Sequence, residues 1–489
     1  MTTLANEVVA SPVRRTAPPP PWALGFRSLE DEIVEARPLA VEGLVPEELS
    51  GVLYRMGPAR HDVYGDRFGS WFDGDGMVHA LSIAGGRVTY RNRFVTTSGK
   101  AEEDRAGRRL YGGFATRGPS GPLSRFVHRN DRKNPANTSV VFHAGKLLAL
   151  CEAGRPYRLD PETLATLGED DMGGALSADA TYSAHPKIDP ETGEMWNFGI
   201  TYGRDALLRL YRTSRDGRTE IAASVTLPVP AMVHDFALTK TKVVLVIPPI
   251  VLPRVPVGLV LGQRSFGESL RYRPDLGVNL AIVDRTTGKA RWSRTEPFMM
   301  FHTVHAWDDG DDVVVDLCAY ADGTIMRTIE DVMVGSEPHA ARAYVDRVRI
   351  GPSGGVDRTR LSSCPIEFPR VAPSALGGRH RMVYGVAWPD GRQFLAQPAA
   401  IDTATGAASL AALGPDEFAG ECVPVSKARA SSESDVWLLT LVLDGASGST
   451  ELRVLDGADI AAPPVARVRL PHVVPFGFHG SWVPAGRGT

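Results

Sequence analysis

The chain has 489 residues, 43% of them hydrophobic, so it can bury a large core, and length alone suggests about three domains. Lys and Arg number 54 against 57 Asp and Glu, a formal net charge of −3, which gives no sequence-independent hold on a phosphate backbone and sets nucleic acid aside as a partner. The 50 Gly and 37 Pro imply many turns between short strands and argue against a helix bundle.

The N-terminus carries four prolines at 18–21 and no apolar core of a secretory signal. Residues 1–25 are expected to form a poorly ordered tail. Further on, one turn unit recurs: an apolar run ends in Asp, then Thr or Gly follows, then another apolar run. It occurs at Asp160, Asp189, Asp284 and Asp402, with a weaker copy at Asp456. Asp opens such a turn by accepting from its own backbone, and Gly closes it at positive φ, so each copy predicts a hairpin. Hairpins spread over hundreds of residues predict the blades of a β-propeller.

Residues 243–261 are the most apolar stretch, long enough to raise a membrane span. Pro248, Pro249, Pro253 and Pro256 break any continuous helix there. Residues 243–247 predict a buried strand; the rest predicts an apolar loop with a short helix, either a binding surface or packed under the domain. Residues 336–347 are the best helical candidate, with Ser336 as N-cap and Glu337 in the first turn. Four widely separated cysteines, Cys151, Cys318, Cys364 and Cys422, fit a reduced, cytoplasmic setting.

Four of the twelve histidines sit at the edges of apolar runs: His185, His234, His302 and His479. They stand 49, 68 and 177 residues apart, where no local spacing rule for metal ligands applies. Taken one at a time, each reads better as a hydrogen-bonded structural histidine than as a ligand. A propeller could bring them together, because its inner strands converge on one axis.

Several segments taken in order give the chain a specific likeness. They include residues 51–58 (GVLYRMGP), 72–79 (FDGDGMVH), 137–139 (NTS), 148–152 (LALCE), 184–187 (AHPK), 234–237 (HDFA), 301–302 (FH), 364–369 (CPIEFP), 418–421 (FAGE) and 479–482 (HGSW). On these the chain resembles the carotenoid cleavage oxygenase family over nearly its whole length. The resemblance implies an all-β fold, a seven-bladed β-propeller with a loop and helix cap over an iron site. It also implies one folded domain over residues 26–489, since motifs for one site run from Glu152 to His479. By the same resemblance, His185, His234, His302 and His479 hold one non-haem Fe(2+), a metal for which imidazole is a suitable ligand. Glu152, Glu367 and Glu421 fall on the family's carboxylates that anchor the histidines' other ring nitrogens. Thr138, Phe301 and Cys151 are expected to line the pocket for substrate and O2. Two positions depart from the family pattern: His305, expected to be non-ligating, and Met56.

The implied activity is that of a dioxygenase using O2 to cleave a C=C bond of a carotenoid or apocarotenoid into two carbonyl products. One family branch cleaves hydroxystilbenes and related phenylpropenes, using a Lys just before the first anchoring Glu; here that residue is Cys151. Stilbene cleavage is therefore the second choice, and a propeller binding scaffold is the non-enzyme choice. Residues 246–261 could touch a membrane peripherally.

Overall fold

The computed structural model describes residues 19–486 except 120–131, 153, 337, 339–340 and 393. Antiparallel strands joined mostly in chain order form seven blades. The first holds Gly51–Arg60, Asp75–Ala84, Arg87–Phe94 and Ile33–Leu39. The second runs Ser139–His143, Lys146–Leu150, Tyr157–Leu159 and Thr166–Glu169. The third runs Lys187–Ile188, Met195–Tyr202, Ala206–Thr213 and Thr219–Thr226. Phe236–Leu238, Lys242–Ile247, Val278–Asp284 and Ala290–Thr295 form the fourth.

The fifth and sixth blades are continuous through one long strand, Val356–Arg370. Its first half pairs with Ala343–Ile350, beside Asp312–Tyr320 and Met299–Asp309, to form the fifth blade. Its second half pairs with Met382–Ala387 and starts the sixth, which adds Gln397–Asp402 and Ala408–Leu410. The seventh holds Glu417–Ala419 and Val423–Ser426 against Val436–Asp444, then Ser449–Asp456 and Ala466–Arg469.

Both ends of the chain close the ring. Val41–Gly43 is the outer strand of the seventh blade, and Gly480–Pro484 is the inner strand of the first. The all-β, seven-bladed expectation holds. Apolar residues pack between the faces of neighbouring blades: Phe198 and Leu208 with Leu245 and Val283, and Leu81 and Tyr90 with Leu439 and Leu452.

Each Asp turn forms as its chemistry dictates. Asp160 Oδ1 accepts from the amides of Glu162 and Thr163, and Asp284 Oδ1 does the same for Thr286 and Thr287. Asp189, Asp402 and Asp456 cap their hairpins in the same way. A further copy at Asp444, closed by Gly448 at φ +65°, joins two strands of the seventh blade.

Three expectations meet a different outcome. Ala343–Ile350 is a strand, not the second half of a helix over 336–347. Ala343, Val345 and Val348 are buried in it, Arg360 grips Asp346 from the next strand at 2.9 Å, and pairing on both edges overrides local helix propensity. Within 243–261, Lys242–Ile247 is the buried strand expected, and Val257–Val260 is a single helical turn. That turn does not pack under the domain: Val255 is 73% exposed and Val257 55%. Residues 1–18 of the expected tail lie outside the described residues. Pro21–Phe26, most of which that tail was to include, is a 3-10 helix with Trp22 and Phe26 buried. The Trp22 ring lies 5.9 Å from Phe394, Phe26 lies 5.4 Å from Trp71, and Trp71 lies 4.7 Å from Phe478. These rings, with the helix Ile325–Asp331 and the segment around Phe266, make the cap. Among the described residues no helix is long and apolar enough to cross a membrane.

Candidate metal centre

The inner ends of the blades bring together all seven residues singled out as ligands or anchors, one from each blade. His479 immediately precedes the inner strand of the first blade. Glu152 follows Lys146–Leu150 of the second. His185 and His234 each stand two residues before the inner strands of the third and fourth. His302 lies in Met299–Asp309 of the fifth, where the register shifts between Met300 and Thr303. Glu367 lies where the sixth blade's register shifts before Arg370, beside Phe368 at φ +52°. Glu421 falls in the break between Glu417–Ala419 and Val423–Ser426. A bulge or break frees a side chain from the ladder's alternation and lets it turn to the axis.

Close backbone approach sets the position of His479. A Cβ on Gly57 would lie 2.3 Å from the Gly477 Cα, so only glycine lets the chain before His479 lie on the first blade. There the Met56 amide donates to the His479 carbonyl.

The imidazoles converge through Nε2. His185 and His234 approach to 2.9 Å, and His302 and His479 to 3.1 Å. His302 Nδ1 lies 2.5 Å from Glu367 Oε2 and His479 Nδ1 lies 2.8 Å from Glu421 Oε1. His234 Nδ1 lies 2.7 Å from Glu152 Oε1. An ionised carboxylate only accepts, so the ring proton belongs on Nδ1 and each Nε2 presents a bare lone pair. Two lone pairs about 3 Å apart repel unless a cation lies between them. Metal–imidazole bonds of about 2.1 Å at right angles require this nitrogen spacing. The donor set therefore fits a metal ion. His185 differs: its nearest carboxylate oxygen, Glu152 Oε1, lies 3.9 Å from Nε2.

Electrostatics follow from burial and partners. Burial, then the neighbouring imidazoles, drives the His185 pKa well below its ordinary value. Burial lowers His479 to about 4, opposed in part by Glu421. At His234 burial also lowers the pKa, but the Glu152 carboxylate outweighs it and the net shift is upward. Burial would raise the two inner carboxyls, yet their partners prevail. Glu367 is held down by His302, the Phe368 amide and the Tyr320 hydroxyl. Glu421 is held well below the usual range by Arg370, His479 and Arg55.

A cavity of about 370 Å³ opens beside the histidines, lined in part by Thr138, Cys151, Phe301 and Tyr320. The three expected pocket residues are therefore at the site. Phe301 packs 5.0 Å from the His234 ring, and the Thr138 hydroxyl is tied to Asn137 Oδ1. The cavity shares Gly112, Gly113, Arg132, Tyr202 and Phe266 with a larger outer crevice of about 820 Å³. His305 turns away, with Nε2 3.0 Å from the Gly378 carbonyl oxygen. Asp235 serves packing: it binds Lys187 and accepts from the Thr303 amide and hydroxyl. Sequence reasoning missed Arg55, Arg370 and Tyr320; the first two lie in quoted or adjacent motifs, but only the fold carries them to Glu421.

The retinal pigment epithelial membrane protein (RPE65) family model matches residues 26–484. An apocarotenoid-15,15'-oxygenase of Synechocystis is 33% identical over 97% of this chain and 98% of its own length. A carotenoid 9,10(9',10')-cleavage dioxygenase of Phaseolus vulgaris is 32% identical over 92% of this chain and 87% of its own. The cobalt-substituted Synechocystis ACO structure superposes with a TM-score of 0.87 at 31% identity, covering 95% of this chain and 98% of that one. The matched span takes in every blade and all seven axial side chains: the chain belongs to the RPE65 family of carotenoid cleavage oxygenases.

Proposed function

We propose that this protein is an Fe(2+)-dependent dioxygenase that cleaves one C=C bond of a carotenoid or apocarotenoid. The alkene and one O2 become two carbonyl products, so atoms balance without an added reductant. The observation that carries this is the convergence of four Nε2 lone pairs, with three Nδ1 protons on carboxylates, at the wall of an apolar cavity. His185, His234, His302 and His479 would hold the iron, and Glu152, Glu367 and Glu421 would fix ring direction. Iron bound there supplies the activation of O2. Phe301 and Phe72, whose rings lie 6.0 Å apart, shield the bond from water and position an extended polyene.

The stilbene reading is weaker on chemistry. Lys133, at the cavity wall, is already paired with Asp75 and Glu103 at 2.6 and 2.7 Å. The Tyr202 and Tyr320 hydroxyls donate to the Ala231 carbonyl and to Glu367. No lysine–tyrosine pair among these is available to ionise a phenol.

Val255, Val257 and Leu261 are exposed beside the outer crevice, which supports peripheral contact with a membrane that stores the substrate.

Anaerobic reconstitution with ferrous salt, metal analysis, and product masses from one long apocarotenal under labelled O2 test the reading. Stoichiometric iron and two carbonyl fragments are expected, with both lost in His302→Ala. Iron and full cleavage retained in that variant would sink the ligand set. Cleavage of hydroxystilbenes alone would replace the substrate class.

A further inference from the structure

The outer crevice is lined by five arginines: Arg117, Arg132, Arg204, Arg254 and Arg264. Arg117 is paired with Glu268 at 2.5 Å. Among the described residues, Arg132, Arg204, Arg254 and Arg264 form no ion pair, and Asp205 is the only acidic side chain on the same wall. This concentration of positive charge stands out in a chain whose formal net charge is −3.

Arg132 has a special place. It lines both the crevice and the inner cavity, so it stands where the two meet. Its guanidinium lies 4.7 Å from the centre of the Phe266 ring, a cation–π contact that steadies the side chain. Neighbouring groups that could neutralise it are occupied. Asp73 spends its oxygens on the Phe114, Ala115 and Thr116 amides and the Thr116 hydroxyl. Tyr202 donates to the Ala231 carbonyl. The side chain is exposed, while the protein packed around it lowers the Arg132 pKa through desolvation.

Arg132 is exposed to the passage, so its guanidinium is open to a ligand that can complete it. Arginine presents a planar fork that matches a carboxylate with two parallel hydrogen bonds. Resting on the polyene-cleavage reading above, we propose that Arg132 determines specificity for a polyene carrying a carboxylate end group. The apolar chain lies along the inner cavity toward the histidines, and the carboxylate stays at the arginine-lined junction. The acid end takes no part in the oxidation and leaves on one of the two carbonyl fragments.

The test compares a linear apocarotenoic acid with the apocarotenol of equal length on iron-loaded protein. The wild type is expected to favour the acid in kcat/KM. In Arg132→Gln the acid-to-alcohol ratio should fall by roughly 10- to 100-fold, the range for hydrogen bonds to a charged group. Arg132→Lys should restore part of that ratio, since charge remains but the fork is lost. No acid preference in the wild type, or equal losses on acid and alcohol in Arg132→Gln, would overturn the proposal. Should neither compound be cleaved, the cleavage reading fails separately, and equilibrium binding of the two polyenes decides this one. A tighter acid complex that Arg132→Gln abolishes supports it; equal affinities overturn it.

Discussion

Arg55 Nη1 lies 2.5 Å from Glu421 Oε2, while the other oxygen of that carboxylate receives Nδ1 of His479 at 2.8 Å. Both side chains are buried, and Arg370 completes the clamp at 2.8 Å. The aim of one imidazole is thus set by an arginine on the strand Gly51–Arg60 of the first blade.

Replacing Arg55 by Met should loosen that aim without touching a donor atom of the centre. Partners behind a metal-bound histidine typically carry about 10- to 100-fold in metal affinity. Cobalt or ferrous titration of Arg55→Met should show a loss in that range. Urea unfolding should show a cost of about 3 kcal/mol, because Glu421 keeps a buried charge with one partner fewer. Unchanged metal affinity would mean that Arg370 suffices alone.

Glu367→Gln keeps the size of the side chain but removes the ionised acceptor for His302 Nδ1 and the Tyr320 hydroxyl. Metal affinity should fall by about tenfold or more. Tyr320→Phe removes one bond to the same carboxylate and should lower it far less. The two variants, titrated side by side, separate the carboxylate's charge from its packing.

His61 is wholly buried, and among the described residues neither ring nitrogen has a hydrogen-bond partner. Burial first, then Arg67, lowers its pKa from 6.5 to about 3. The unfolded chain therefore binds a proton below pH 6.5 that the fold refuses. The neutral ring's contribution is whole above pH 6.5 and is lost progressively as the pH falls from 6.5 to 3. Urea midpoints across that window should slope less steeply with pH in His61→Leu than in the wild type. Identical slopes would show that the site opens to protons without global unfolding.

Exposed Val255 and Val257 make the membrane proposal testable. A Val255→Glu, Val257→Glu double variant should bind zwitterionic vesicles several-fold more weakly in flotation assays, since each change removes apolar area from the interface. Its unfolding midpoint should stay near that of the wild type, because surface substitutions usually move stability by about 0.5 kcal/mol or less. Equal flotation would remove this turn from any membrane contact.

Local chemistry was the most legible part of the chain. Turns at Asp160, Asp189, Asp284, Asp402 and Asp456 need only partners two or three residues away, and all formed. The histidines and glutamates were legible through their motif likeness to a family, and the blades bring all seven to one axis. What stayed hidden depends on distant chain. The strand Ala343–Ile350 is set by neighbours on both edges rather than by its own helical pattern. Arg55 meets Glu421 across 366 residues, and Arg132 lines the inner cavity beside residues far along the chain.

The strand Gly480–Pro484 comes after every other described strand and is preceded directly by His479. The last piece of the ring and the last imidazole are therefore delivered together. Before that strand is added, the chain carries three histidines of the set on the third, fourth and fifth blades, while the first blade still lacks its inner strand. A chain cut short before His479 would therefore combine an open sheet edge on the first blade with an incomplete ligand set.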